Sequence, residues 1–311
     1  MKAKFSGHDT FPLRYGWLYK AVNHLNSGGK LQTSKEEETQ QAIIKLGVGK
    51  NMVNAIRYWA ESAGLLNSKR TQSSIEFFTS DNGNYLFNDE RGKDPFLEHI
   101  GSIWLVHFWL CFNEEEMTSY RYFFNIFNGE YFEKQVLLAH MTDDLAKLTS
   151  SDSTLNDSTI QKDIDTFLNS YSKKHSVKTA GEEQFNSPLT ELSLIQESGK
   201  NYYLSALNSK SDLPVEIFVY AVLKFIQKES KLSNVAKVNF NSLLLDPFSP
   251  GRVFRLSELG LGEKLDEAQV FSNGNISWID SMGLRQISVA PSYLNQEQSV
   301  LDSYYEGLEN D

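Results

Sequence analysis

The chain has 311 residues, of which 40% are hydrophobic, 13% aromatic and 23% charged, a balance too apolar for disorder and sufficient for a core spread over two or three units. Its longest apolar run, Ile100 to Phe112, falls short of the ~20 residues that cross a bilayer, and no apolar run follows the lysines of the opening MKAKFSGHDTF, so neither a membrane span, a signal peptide nor a lipid anchor is expected. A net charge of -10 excludes a basic coat over the whole molecule. It is unevenly spread, however: residues 1–90 hold 11 Lys+Arg against 9 Asp+Glu, a local +2, and the remainder holds 19 against 31, a local -12. Only the first part offers a duplex a tolerable surface. The lone Cys111 rules out an internal disulfide and argues against a thiolate metal site; with the missing signal peptide it places the expected location in the cytoplasm.

The spacing of Leu13, Trp17, Ala21 and Leu25 predicts a helix over 11–25, with Pro12 in its first turn and Asn26-Ser27-Gly28-Gly29 stopping it. Ser34 followed by Glu37 has the pattern of a capping box and opens a second helix, whose inner face is Ala42, Ile43 and Leu46. Gly47-Val48-Gly49 turns the chain into a third helix. There Val53, Ile56, Ala60 and Ala63 share one side, and Lys50, Asn54, Arg57 and Glu61 the other. Strand-like alternation follows around Ile75–Phe78, and Asp81-Asn82-Gly83-Asn84 reads as a turn before Tyr85-Leu86-Phe87. Residues 1–92 are therefore expected to form a winged helix-turn-helix domain.

Residues 93–150 are expected to be a helical domain. Asp94-Pro95 opens an aromatic helix (Phe96, Trp104, Phe108, Trp109, Phe112) whose spacing suits a core better than a platform for stacked bases, and helices follow over Thr118–Phe127 and Tyr131–Leu148. The Ser-, Thr- and Asp-rich stretch 149–159 reads as a linker near a domain boundary. Within the third domain, 151–311, a helix is expected over Ile160–Tyr171, a hairpin over Leu192–Leu204 and a strong helix over Pro214–Lys228. Ser249-Pro250-Gly251 reads as a turn, Ser257–Ala268 as a helix, and Asn273-Gly274 as the turn of a hairpin joining Val270-Phe271 to Ile276–Trp278. The fold class is mainly α with small β hairpins: an N-terminal winged helix-turn-helix, a helical middle and a C-terminal α+β winged-helix-like part.

Several phrases together resemble one family. FSGHDTFPLRYGWL at 5–18, LGVGKNMVNAIRYWAESAGLL at 46–66, DPFLEHIGSIWLVHFWL at 94–110, KDIDTFLNSY at 162–171, SPLTELSLI at 187–195 and SPGRVFRLSELGL at 249–261 are similar to the domain of unknown function 4007 family, across nearly the whole chain. The resemblance implies no established activity. It implies a bacterial setting beside PAPS-reductase-like sulfur-transferring enzymes and DNA phosphorothioation or phage-defence genes. Asp9 stands where the family commonly has Glu, and Ser187 stands before Pro188 where Cys is expected, which counts against a catalytic thiol there.

Reading a major groove takes short polar or cationic side chains at the exposed start of a helix entered by a tight turn. Lys50, Asn51, Asn54 and Arg57 fit that need, and Lys69 and Arg70 at the start of the wing could touch phosphates; the structural alternative is a solvated face used for protein contacts. Gly47-Val48-Gly49-Lys50 is not a phosphate loop, because Ile44 and Asn51 stand where glycine and Ser/Thr are required. The histidines show no metal spacing, so no catalytic residue, metal or cofactor is assigned. His8 and Asp9 are the best enzyme candidates, for a hydrolase in which His99 or His107 approaches; the alternative is a loop in which Asp9 or Thr10 caps backbone N–H groups and His8 bonds a carbonyl. Arg252, Phe254 and Arg255 form an aromatic–arginine set of the kind enriched at interfaces, against the alternative of a core phenylalanine with paired arginines. The expected function is a DNA-associated accessory protein of a bacterial DNA modification or phage-defence system, with double-stranded DNA and proteins of that complex as partners. The alternative is a scaffold subunit of a sulfur-transfer or restriction complex that never touches DNA.

Overall fold

Helices and small sheets alternate through two units in a computed structural model that describes residues 2–32, 35–70, 74–148, 156–173, 187–233, 236–281 and 283–309. One unit comprises 1–122 with 131–204, the other 123–130 with 205–311, so the chain crosses between them three times. The expected divisions after 92 and 150 both fall inside the first unit.

The first unit begins with β1 (Lys2–Ala3), followed by α1 (Trp17–Asn26), α2 (Glu36–Leu46), α3 (Lys50–Ser62), β2 (Leu66–Arg70) and β3 (Ile75–Thr79). α1 starts later than its apolar spacing suggested, because Gly16 (φ 75°), inside the expected span, adopts left-handed backbone that no α-helix contains. Gly47 (φ 65°) ends α2, and Val53, Ile56 and Trp59 on α3 are buried. Ser34 lies outside the described residues; Lys35 precedes α2 without a side-chain cap. β2 and β3 pair antiparallel, Lys69 opposite Glu76.

The expected turn at 81–84 is instead the start of α4 (Asp81–Phe87), because Ser80 Oγ accepts the Gly83 N–H at 3.0 Å and caps a helix. α5 (Ile100–Cys111) is apolar on all sides and buried from Gly101 to Cys111, Trp104 and Leu110 at 0% exposure. It begins after Asp94, whose carboxylate accepts the Glu98 and His99 N–H groups at 2.9 and 3.0 Å and holds that stretch as a loop, leaving Phe96 exposed. β4 (Glu116–Met117) pairs parallel with β1, and α6 (Ser119–Asn125) runs across the first crossing. Tyr131–Glu133, expected to be helical, forms β5 because it pairs with β7; α7 (Lys134–Leu148), α8 (Asp157–Tyr171), β6 (Gln196–Gly199) and β7 (Tyr202–Leu204) follow, in the sheet order β5–β7–β6. Most of the expected linker, 149–155, lies outside the described residues.

The second unit is built on α9 (Val215–Ser233), which buries Phe218, Val222 and Phe225. β8 (Lys237–Asn239), α10 (Phe240–Leu245), α11 (Pro250–Val253), α12 (Glu258–Phe271), β9 (Ile276–Ser281), β10 (Leu284–Val289) and α13 (Glu297–Leu308) complete it, with the antiparallel sheet order β8–β10–β9. The expected turn at 249–251 is the capped start of α11, since Ser249 Oγ accepts the Arg252 N–H at 3.3 Å. Val270-Phe271 ends α12 rather than forming a strand. Asn273 (φ 51°) and Gly274 (φ 79°) reverse the chain into β9, and the hairpin lies one element later, between β9 and β10.

Candidate functional site

α3 presents its start to solvent. Lys50 and Asn51 are exposed directly after the Gly47–Gly49 turn, and Lys69 and Arg70 are exposed on β2. The other two candidates on α3 are engaged within the unit. Asn54 Nδ2 donates to Asp9 Oδ2 at 3.1 Å. Arg57 donates through Nη1 to the Leu31 carbonyl at 3.1 Å, lies 3.8 Å from Glu61 and sits 5.4 Å over the Phe77 ring. Burial raises the Glu61 carboxyl, with the Lys4 and Arg57 charges opposing the shift. Of the four expected groove-reading side chains, Lys50 and Asn51 therefore project freely, while Asn54 and Arg57 brace the helix against the N-terminal loop and the hairpin.

His8 and Asp163 meet in the core of the first unit, at 3% and 2% exposure. The Thr10 N–H donates to His8 Nδ1 at 3.0 Å, so Nε2 carries the proton donated to Asp163 Oδ1 at 2.8 Å. Asp163 Oδ2 accepts the Ser119 N–H at 2.8 Å, which ties the Gly7–Thr10 loop to α8 and to the start of α6. The Tyr58 ring lies edge-on to His8 at 5.2 Å, and burial first, then Tyr120 and Asp163, pushes its hydroxyl well above the ordinary tyrosine range. His8 thus has both ring nitrogens committed and no opening to solvent, and its partner is Asp163 rather than the backbone carbonyl expected. His107, proposed to approach it, is instead bonded to Tyr171 at 2.8 Å. Among the described residues no three His, Cys, Asp or Glu side chains come together as a metal site.

The expected partner surface at Arg252, Phe254 and Arg255 is interior. Phe254 is fully buried, and the arginines are 9% and 2% exposed. Arg252 donates to the Asn125 carbonyl at 3.3 Å and to the Asn128 side chain, and Arg255 to the Gly129 and Ser205 carbonyls at 3.1 and 2.6 Å. Both arginines hold the short 123–130 stretch in the second unit, so they have no surface to offer a partner. Lys210, unremarked in the sequence, is buried nearby, and desolvation followed by the Arg255 charge lowers its ammonium to about 8.

A family model described as a protein of unknown function (DUF4007) matches residues 5–305. Two solved structures, described as SspB and as magnesium ion-bound SspB, are each 25% identical with a TM-score of 0.83; each match covers 100% of this chain, and 91% and 90% of theirs. No curated protein matches.

Proposed function

The chain belongs to the DUF4007 family of proteins of unknown function, and from the exposed cations of its first unit, together with the bacterial setting that the family resemblance implies, we propose that it is a DNA-associated accessory protein of a bacterial DNA modification or phage-defence system. α1, α2, α3 and the β2–β3 hairpin are read as a winged helix-turn-helix. The elements α9, β8, α10 to α12, β9 and β10 are read as a second one, from their order and the sheet order β8–β10–β9. The observation that carries the DNA reading is the pairing of exposed Lys50 and Asn51 at the start of α3 with exposed Lys69 and Arg70 on the hairpin. Asn51 is suited to an adenine edge, and the three cations to phosphate.

A scaffold role is favoured by one feature of the second unit. α12 exposes Leu259 (71%) and Val270 (80%) beside Glu263, Asp266 and Glu267, a face that repels phosphate and suits protein contact. A fluorescence-anisotropy titration of a labelled duplex against the full chain at several salt concentrations separates the two roles. Under the DNA reading, Lys50→Ala with Arg70→Ala lowers affinity at least about tenfold and reduces the salt slope by ~2, and Leu259→Ser with Val270→Ser leaves both unchanged. Equal binding by wild type and the Lys50/Arg70 variant at low salt removes the DNA reading and leaves the scaffold.

A further inference from the structure

An open cleft of 390 Å³ lies in the second unit where the end of α12, the 272–275 turn, the loop before α13 and one face of α13 meet, with Asn273, Ser292, Gln296 and Ser299 exposed along it. Its lining carries no formal charge, although the chain as a whole is 23% charged. Asn273, Ser292, Tyr293, Gln296 and Ser299 all line it, and none spends its side chain on a hydrogen bond to another described residue. The fold fixes where they sit. The left-handed Asn273 (φ 51°) stands at the reversal after α12, and Gln296, which precedes the first residue of α13, lies on one face with Ser299, Val300 and Ser303, whereas the opposite side of α13 buries Leu301 and Tyr305. Phe271 and Tyr293 are the two aromatic residues of the lining. Burial raises the Tyr293 hydroxyl, so it remains a neutral donor.

An uncharged cavity of this kind does not hold a phosphate or a metal ion, since either needs compensating charge. Its size is near the bottom of the ~300–1,000 Å³ range of small-molecule sites, room for one ring system with a small substituent. Amide side chains set a donor beside an acceptor in one plane, as the edge of a nucleobase does, and aromatic rings offer faces for stacking. We propose that this cavity is a nucleobase site, in which Asn273 and Gln296 read the base edge, Phe271 and Tyr293 flank its face, and Ser292 and Ser299 complete the hydrogen bonding. The base arrives either as a free nucleoside or on a single strand. The site shares no residue with α3 or the β2–β3 hairpin, so it stands whether or not the first unit binds a duplex.

The test titrates the full chain with adenosine, guanosine, cytidine and thymidine by calorimetry, and with fluorescein-labelled homo-oligonucleotides by anisotropy. Expected is one-to-one binding with a preference of about tenfold or more for one base, lost by about tenfold in Asn273→Gly with Gln296→Ala. Glycine keeps the φ of 51° accessible at 273, and an unchanged thermal unfolding midpoint shows that the variant is folded. Tighter binding of the nucleoside points to a free ligand, and tighter binding of the oligonucleotide to a base on a strand; either supports the site. No binding of any nucleoside or oligonucleotide up to about 10 mM and 100 μM respectively overturns the proposal. So does binding that the double variant leaves unchanged, or equal binding of glucose, which would make the cavity a saccharide site.

Discussion

Asp163→Asn tests whether the buried His8 cluster is structural. In the wild type both carboxylate oxygens accept, one from His8 Nε2 and one from the Ser119 N–H, each at 2.8 Å, and the Thr10 N–H fixes the imidazole tautomer from the other side. An amide of the same shape has one acceptor and one donor end. With its oxygen toward His8, its NH₂ meets the Ser119 N–H. Turned round, its NH₂ meets Nε2, which can accept only if the imidazole moves its proton to Nδ1, where the Thr10 N–H already points. One donor–donor collision is unavoidable at a site 2–3% exposed. Losing one charge-assisted bond and stranding a buried donor costs about 2–4 kcal/mol; Asp163→Ala, which strands both donors, costs about 3–5 kcal/mol. Four of the five tryptophans, Trp17, Trp59, Trp104 and Trp109, lie in the first unit, so urea unfolding followed by fluorescence reads that unit, and amide exchange at Thr10 and Ser119 reads the cluster directly. A loss under about 1 kcal/mol for Asp163→Asn, with both amides still protected, would refute the hydrogen-bond assignment.

Three further outcomes follow from particular side chains. Because the folded Lys210 ammonium titrates at about 8 and an unfolded one near 10.5, the unfolded chain holds more protons between those values and stability rises with pH across that window, by at most ~3 kcal/mol. Lys210→Met should flatten this rise, and parallel curves for the two chains from about pH 7 to 11 would remove Lys210 as its source. Cys111 is buried and desolvation pushes its thiol far up, so a disulfide reagent should label it only on unfolding; rapid labelling of the native chain would contradict that burial. Gly83→Ala places a Cβ 2.3 Å from the Leu65 carbonyl oxygen and should cost about 1–3 kcal/mol in thermal unfolding, whereas a neutral result would mean that the backbone just before β2 yields to it.

What the sequence made legible was governed by local forces. The α1–α2–α3 succession, the all-apolar α5 and the amphipathic α9 follow from helical spacing, and glycine marks the turn at 47–49. Elements settled by distant pairing were missed: Tyr131–Glu133 has helical surroundings and becomes a strand because β7 lies beside it. Capping misled twice, where Ser80 and Ser249 each start a helix in segments whose Gly, Pro and Asn content suggests a turn. At the candidate site, Lys50 and Asn51 were accessible to pattern reasoning, but the engagement of Asn54 by Asp9 and of Arg57 by Leu31 was not, since nothing local announces a partner many residues away. One signal for the His8 partner was present and unread. Asp163 falls on the same helical face as Ile160, Ile164 and Phe167, and a carboxylate on a buried apolar face requires a donor.

The stretch 123–130 belongs to one unit while its neighbours on both sides belong to the other, and Arg252 and Arg255 fasten it from far along the chain. For inheritance this means that no single recombination breakpoint delivers either half intact. A break after 204 strands the stretch without its arginines, and a break before 123 takes β5, α7, α8 and the Asp163 that His8 requires away from the N-terminal helices. A rearrangement that trades one of these units alone is closed to this architecture, whose two halves stay whole only when carried as one piece.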